Sequence, residues 1–446
     1  MKFKYLISII LLIESLLITS CSQYDTGDKQ GVPAKISFKH LSAADQQLLD
    51  EIQKRAFNFF WEGYHPETGL IGNGTNPQQN KTSIATVGFG LSAYCVGEKH
   101  GWAAREEVYA RVLNILNSFY KDPNDTFDFC VEGKNGLFYH FVNTKTGKRH
   151  GKCEVSTIDS AILMAGILHV MTHFKDTEIE KLAYKIYCNA QWDWYTLENG
   201  AISGGWKPEV GIQGEYKGYN EYSLVYLLAM ASPTHPMPAN SWNTYSSGFG
   251  YQWMKSYDHI GKFLTPQGLF QPLAYLYQFP SCWIDFRNKK DKYVDHWEVA
   301  TNALLANRQY CINWASEFGY DAELWGWTAC TGKEDYRGFM HPFNGTIAPS
   351  AVVASLPFIP VESMTSIRYM YDNYKDKIWG KYGFVDAFNP SQNWYDDRFL
   401  GIDQGNIVLM IENYRSGFIW EECMSNPVIQ EGLRKACIEE YKNETR

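Results

Sequence analysis

Glu154, Asp159, Glu221 and Asp403 lie far apart in the chain but share one local setting. Each sits where a loop rich in glycine, aromatic and polar residues runs into a strongly apolar segment. Five such junctions occur: Lys81-Thr82-Ser83, Cys153-Glu154-Val155-Ser156, Tyr219-Asn220-Glu221-Tyr222, Asn344-Gly345-Thr346-Ile347-Ala348-Pro349 and Gly401-Ile402-Asp403-Gln404-Gly405. If the apolar segments are helices running the same way around a ring, their starts meet at one rim and the acids converge on one cleft. Two carboxyl groups among aromatic side chains are the equipment of glycoside hydrolysis, one protonating the leaving oxygen and the other activating water.

Glu221 is the candidate acid. It starts a short apolar helix, where burial would raise its pKa although the helix N-terminus favours the anion. The plainer reading is a carboxylate that stabilises the first turn. Glu154 and Asp159 are five residues apart, which on a helix turns their directions about 140° from each other. Both can face one cleft only if Glu154 precedes the helix, with Ser156 or Thr157 as N-cap. Asp403 is the candidate general base, with Asp386 as the alternative. Asn389, Asn393 and Trp394 surround that stretch. Asp396 and Asp397 read as solvated loop charges, and Glu412 with Asn413 and Arg415 as an interior cluster. Trp61, Trp206, Trp325, Trp327, Phe343 and Trp394 stand in or near glycine-bearing loops, where a ring can keep one face bare to stack on a sugar; each is equally readable as core. Tyr219 and Gln404, at two of the junctions, join the candidate substrate-binding set. His140, Arg149 and Arg308 could bond sugar hydroxyls. Other chemistries lack their motifs: there is no GxSxG elbow, P-loop or HExxH, and His169 with His173 has no third ligand in view. No metal or cofactor is implied.

The elements that would position these groups are helical by periodicity. Twelve segments are expected, at residues 43–61, 83–100, 103–120, 154–174, 178–194, 221–230, 248–260, 271–279, 294–318, 349–357, 361–374 and 404–420, with an appended helix at 427–441. The second, fourth, sixth, tenth and twelfth are apolar nearly all round, the mark of helices buried on every side. Their partners are amphipathic. Inner and outer helices in alternation, six of each, describe an all-α (α/α)6 barrel. A solenoid of stacked helix pairs would show a repeat of fixed length; the unit lengths here vary. Residues 135–149 read as a β-hairpin at the rim, and residues 232–247 as a long loop.

The chain has 446 residues and a formal charge of −8, with no basic stripe, which excludes nucleic acid as a partner. Aromatics make up 16% of it, more than sugar contacts alone would need, so most must be core. Nine cysteines besides Cys21, none at CxxC spacing, give poor support to a zinc site or a disulfide framework, although one or two bridges remain open. Lys2 and Lys4 precede a short apolar run, and Ile18-Thr19-Ser20-Cys21 reads as a lipoprotein cleavage box. The expectation is a signal peptide over 1–20, a lipid on Cys21, a tether over 21–39 and one domain over 40–446. It would be a monomer held at the cell envelope by its lipid anchor alone.

Several motifs together resemble the bacterial glucoamylase-like glycoside hydrolases: Phe60-Trp61-Glu62, Ser83-Ile84-Ala85-Thr86-Val87-Gly88-Phe89, Glu154-Val155-Ser156-Thr157-Ile158-Asp159, Asn220-Glu221-Tyr222, Trp325-Gly326-Trp327-Thr328-Ala329, Asn344-Gly345-Thr346-Ile347-Ala348-Pro349, and Tyr382-Gly383-Phe384 through Gly401-Ile402-Asp403-Gln404-Gly405. The resemblance covers residues 57–420. It implies an (α/α)6 barrel and an inverting, metal-free mechanism on β-1,2-glucan. The acid role falls on Glu221, with Glu154 and Asp403 as further cleft acids. Asn344 stands where the family is expected to carry Asp, which would remove one carboxylate from the rim. Two other readings stay open: hydrolysis of another glucan linkage, and a surface glycan-binding lipoprotein without catalysis.

Overall fold

The structure is a computed structural model that describes residues 37–75, 80–121, 129–252, 263–266, 271–336, 338 and 342–441. The signal, Cys21 and nearly all of the tether lie outside the described residues. The helices are α1 (Ala43–Glu62), α2 (Ile84–Lys99), α3 (Arg105–Phe119), α4 (Thr157–His173), α5 (Glu178–Asn189), α6 (Ser223–Ala231), α7 (Ser241–Ser247), α8 (Tyr275–Ser281), α9 (His296–Phe318), α10 (Pro349–Val353), α11 (Pro360–Ile378), α12 (Gly401–Arg415), α13 (Phe418–Ser425) and α14 (Pro427–Lys435).

The even-numbered helices from α2 to α12 form an inner ring. In α2 every residue from 84 to 97 is buried, and so is every residue of α6. The outer helices bury one stripe: Leu49, Ile52, Ala56, Phe57 and Phe60 in α1, and Ile179, Ala183, Ile186 and Tyr187 in α5. Around the ring, α2 crosses α4 at two glycines. A Cβ on Gly88 would lie 2.4 Å from the Ile162 carbonyl oxygen, and one on Gly166 would lie 2.1 Å from that of Gly88, so only bare backbone lets the two axes approach this closely. Asn406 of α12 donates to Gln278 of α8, and Gln278 donates to the Ala351 carbonyl of α10. The ring closes where Gly401 and Gly405 of α12 sit against Thr86 and Phe89 of α2. That closure is what a solenoid lacks, and it makes the molecule the all-α toroid expected from the alternation of apolar and amphipathic segments.

The structure departs from expectation in four places. Residues 232–247 are not all loop: α7 starts after Asn240 and buries Trp242 and Tyr245, although its sequence carries no helical apolar stripe. The helix expected at 248–260 is replaced at its start by a strand, Phe249–Gln252, paired with Phe263–Pro266; aromatic residues there alternate with Gly250 and Gln252 at period two, and 253–260 lie outside the described residues. The expected hairpin is present but short, with the Asn143 N–H donating to the Lys148 carbonyl and the His150 N–H to that of Phe141 around the Val142–Arg149 bridge, and Phe141–Asn143 also pairs with Lys81–Ser83, the strand that leads into α2. The twelfth segment splits at Gly417, which turns left-handed (φ 72°) between α12 and α13. Among the described residues no helix is long and apolar enough to cross a membrane. All nine described cysteines are free, which closes the question of bridges among them.

Candidate active site

A cavity of about 730 Å³ opens at the N-terminal ends of the inner helices. Each of the six contributes to its wall from its first turn or the residues just before it: Ser83 for α2, Asp159 for α4, Glu221 for α6, Tyr275 for α8, Ser350 for α10 and Asp403 for α12. In a six-membered ring α6 and α12 are opposite, so Glu221 and Asp403 face each other across the cavity.

Glu221 stands two residues before α6. Burial pushes its carboxyl up to about 7; its own backbone N–H pulls the other way, and the negative charge of Asp159 adds to the rise. Near neutral pH this group can hold a proton to give away. On the opposite wall, Asp403 accepts 2.9 Å from the Ser350 hydroxyl through Oδ1. Directly behind it lies Asp386, fully buried, whose Oδ2 accepts 3.0 Å from the Thr331 N–H. The remaining oxygens, Asp386 Oδ1 and Asp403 Oδ2, find no donor elsewhere. The two carboxyls act on each other, Asp386 raising Asp403 and Asp403 lowering Asp386. Burial lifts both, their mutual charge lifts Asp403 further, and Asp386 is pushed up to about 6. Such a pair holds one proton between its members, and its titration belongs to the pair. Only Asp403 reaches the cavity.

Glu154 takes a different place. Ser156 is the N-cap of α4; its hydroxyl accepts from the Asp159 N–H and donates to Asp159 Oδ2 at 2.5 Å. Glu154 is therefore outside the helix, just before the strand Val155–Ser156 that leads in, but it does not line the cavity. Its Oε1 lies 3.1 Å from Nδ1 of His140, whose Nε2 lies 3.6 Å from Asp159 Oδ1. The His140 bond is the main reason the Glu154 carboxyl sits down at about 2, an ionised carboxylate with no proton to donate. Burial disfavours an imidazolium at His140, but the charge of Asp159 and the Glu154 bond outweigh it and raise the pKa. These three residues are the described set nearest to a metal-ligand cluster, with ligand atoms within 4.8 Å of one another. The carboxylates approach opposite nitrogens of one ring, at 3.1 and 3.6 Å. A protonated imidazole satisfies both.

Known proteins share this arrangement of helices. The family model described as "Putative glucoamylase" matches residues 214–427. A Bacteroides uniformis structure described in the same words superposes with a TM-score of 0.80 at 31% identity, covering 90% of this chain and 99% of that one. The chain belongs to the glucoamylase-like family. An endo-β-1,2-glucanase of Chitinophaga pinensis, solved with sophorotriose and glucose, is similar to this family member with a TM-score of 0.79 at 27% identity, over 89% of this chain and 99% of that one. An exo-β-1,2-glucooligosaccharide sophorohydrolase of Parabacteroides distasonis is 29% identical over 428 residues, which are 88% of this chain; the chain spans 58% of that relative's length.

Most of the expected aromatic platforms are elsewhere in this glucoamylase-like chain. Trp325 and Trp327 are wholly buried. Gly326 between them has φ +131°, and a Cβ there would meet the Ala348 carbonyl at 2.7 Å; it allows close backbone approach to the start of α10 and bares no ring. Phe343 packs on Tyr310 and Phe318, and Tyr219 on Tyr277 and His296. Trp61 is covered by the Arg111 guanidinium, 3.5 Å from its ring centre. Trp394 packs on Cys330, Ala348 and Ala387, and Trp206 lies beside Trp194 and Lys134. Arg149 is tied to Glu209 and the Cys153 carbonyl, and Gln404 to the Phe384 carbonyl. None of these lines the cavity. Asp396 is not solvated: it is buried and paired with Arg398. Asn344 closes a turn by accepting from the Thr346 N–H, so its identity takes no carboxylate from the cavity wall. Tyr275, Phe279 and Arg398 do line the cavity and were missed. Tyr275 carries a signal in hindsight, since it begins an inner helix.

Proposed function

We propose that this protein hydrolyses β-1,2-glucan or its oligosaccharides with inversion, Glu221 acting as general acid and Asp403, backed by Asp386, as general base. The observation that carries the reading is the opposition of a carboxyl raised to about 7 on one wall and a buried carboxyl pair on the other. Glu221 gives its proton to the glycosidic oxygen as the bond to the anomeric carbon breaks. A water on the opposite face attacks that carbon and passes its proton to Asp403. Separate acid and base residues that leave room for a water are the inverting arrangement. For Asp403 to act as base the shared proton shifts to Asp386; the pair is anionic as a unit, and its affinity for a second proton is lifted above that of a lone aspartate. Asp159, held by Ser156 and His140, lies near Glu221, and its charge favours the protonated acid. The linkage rests on likeness to the Chitinophaga pinensis and Parabacteroides distasonis enzymes. We further place the protein at the bacterial envelope as a monomer on a lipidated Cys21, a reading supported by the leader sequence.

The test is Glu221→Gln. Turnover of β-1,2-glucan should fall by about 100-fold or more, while glucan binding measured by calorimetry stays. Near-normal turnover in that variant would remove Glu221 from the mechanism.

A further inference from the structure

The start of α8 is clamped from below. Asn307, wholly buried on α9, donates 2.6 Å to the Pro272 carbonyl and 2.6 Å to the Trp327 carbonyl. The Ala274 N–H donates to the same Trp327 carbonyl, and the Tyr275 N–H donates 3.2 Å to the Thr328 hydroxyl. The Trp325-Gly326-Trp327-Thr328 stretch, which offers no platform to a sugar, thus fixes where Tyr275 stands.

Tyr275 lines the cavity, and so does Phe279, four residues further along α8. Their rings are 5.5 Å apart and tilted by 56°. The Tyr275 hydroxyl has no hydrogen-bond partner among the described residues, and it is not one of the polar atoms that the protein encloses without a partner. It therefore opens into the cavity. In the ring α8 lies between α6 and α10, which places this side chain between the Glu221 wall and the Asp403 wall. Burial, and then the charge of Glu221, push its phenol well above the ordinary value. Toward the other wall it adjoins Tyr336, whose phenol is raised by burial, then by the charges of Asp403 and Asp386, and also by Tyr275. A phenol so placed keeps its proton throughout the working pH range and is always a donor. A fixed donor without a protein acceptor, in a cavity wall, is the kind of polar group that orients a ligand.

We propose that Tyr275 is a substrate-contacting residue of the reaction, its hydroxyl donating a hydrogen bond to the sugar unit held between Glu221 and Asp403. This rests on the hydrolase reading above and deepens it, adding to the two carboxyls a neutral group that fixes the reacting sugar.

Tyr275→Phe removes one oxygen that no described protein group uses and leaves the ring on Phe279, so its urea unfolding midpoint should match that of wild type. Its kcat/KM on β-1,2-gluco-oligosaccharides should fall by about tenfold. The loss should be equal on short and long chains, since every cleaved chain places a sugar at this point, and both limbs of the pH profile should stay in place. Wild-type kcat/KM in Tyr275→Phe would overturn the inference. So would a loss confined to long chains, which puts the contact at a distant sugar. A shifted alkaline limb with an unchanged maximum would overturn it too, since the hydroxyl would then act on Glu221 and not on the sugar, and a lowered unfolding midpoint would make its role structural. If the wild type cleaves no glucan, the hydrolase reading falls by itself. Tyr275 is then judged by calorimetry with β-1,2-glucan, where affinity weakened about tenfold in Tyr275→Phe supports the contact and unchanged affinity overturns it.

Discussion

Replacing Asp386 with Asn separates a carboxyl pair from a lone carboxylate. In the wild type, activity needs the pair to have lost one proton and Glu221 to keep its own. With Asp386 at about 6 and Glu221 at about 7, kcat/KM should be bell-shaped, falling below about pH 6 as the pair fills with protons and above about pH 7 as Glu221 loses its proton. In Asp386→Asn the side-chain carbonyl can still accept from the Thr331 N–H, and the new amide N–H can donate to Asp403 Oδ2 where a like charge stood. Burial, with the charge of Asp396 adding to it, takes Asp386 from 3.8 to about 6 against the pull of its Thr331 and Asp403 bonds; for Asp403 the causes are burial and the charge of Asp386 itself. At Asp403 burial is the larger cause and remains in the variant while the charge of Asp386 goes, so the substitution should lower the acidic limb by about one pH unit, or about 1.4 kcal/mol of proton affinity. A weaker base passes part of that into the rate, so the maximal rate should fall by about three- to tenfold. The assay is reducing-sugar release from β-1,2-glucan across pH 4.5 to 9. An acidic limb that stays in place would refute the pair. Complete loss of turnover in a folded variant would make Asp386, not Asp403, the base.

Other outcomes follow from the scaffold. Gly88→Ala drives a Cβ to within 2.4 Å of a backbone carbonyl on α4, where no side chain can yield, and should cost about 3 kcal/mol in urea unfolding. At the end of the barrel away from the cavity, Glu422 is bonded to His169 and His173. Burial opposes its ionisation, but the two imidazole bonds outweigh that and hold it at about 2 against an ordinary 4.5. Its folded pKa is depressed, so its contribution is complete above about pH 4.5 and is lost as pH falls toward 2. Glu422→Ala should therefore cost about 3 kcal/mol at pH 6, with the gap from wild type closing between pH 4.5 and 2 in chemical unfolding.

The ring and the acids on it were legible because both are written locally. An inner helix must be apolar on all sides, and its start must carry whatever the cavity needs, so Asp159, Glu221 and Asp403 could be read from the junctions. The Asp386–Asp403 pair was not, since it depends on how the Thr331 loop folds over the start of α12. Asp386 appeared only as an alternative, not a partner. The aromatic platforms failed for a related reason. Glycines beside Trp325 and Trp206 serve close backbone contacts, at Ala348 and at the strand Val155–Ser156, and sequence does not distinguish a glycine that bares a ring from one that admits a neighbouring chain. Glu154 had the right neighbourhood, but its partner His140 enters from the bend between Leu137–Phe138 and Phe141–Asn143, 14 residues upstream, and occupies the carboxylate.

The most direct test follows the anomeric form of the first product from β-1,2-glucan by proton NMR, before mutarotation blurs it. An inverting pair formed by Glu221 and Asp403 predicts that the new reducing end appears as the α-anomer and drifts toward equilibrium. Initial release of the β-anomer, or no release from this polymer at all, would contradict the account.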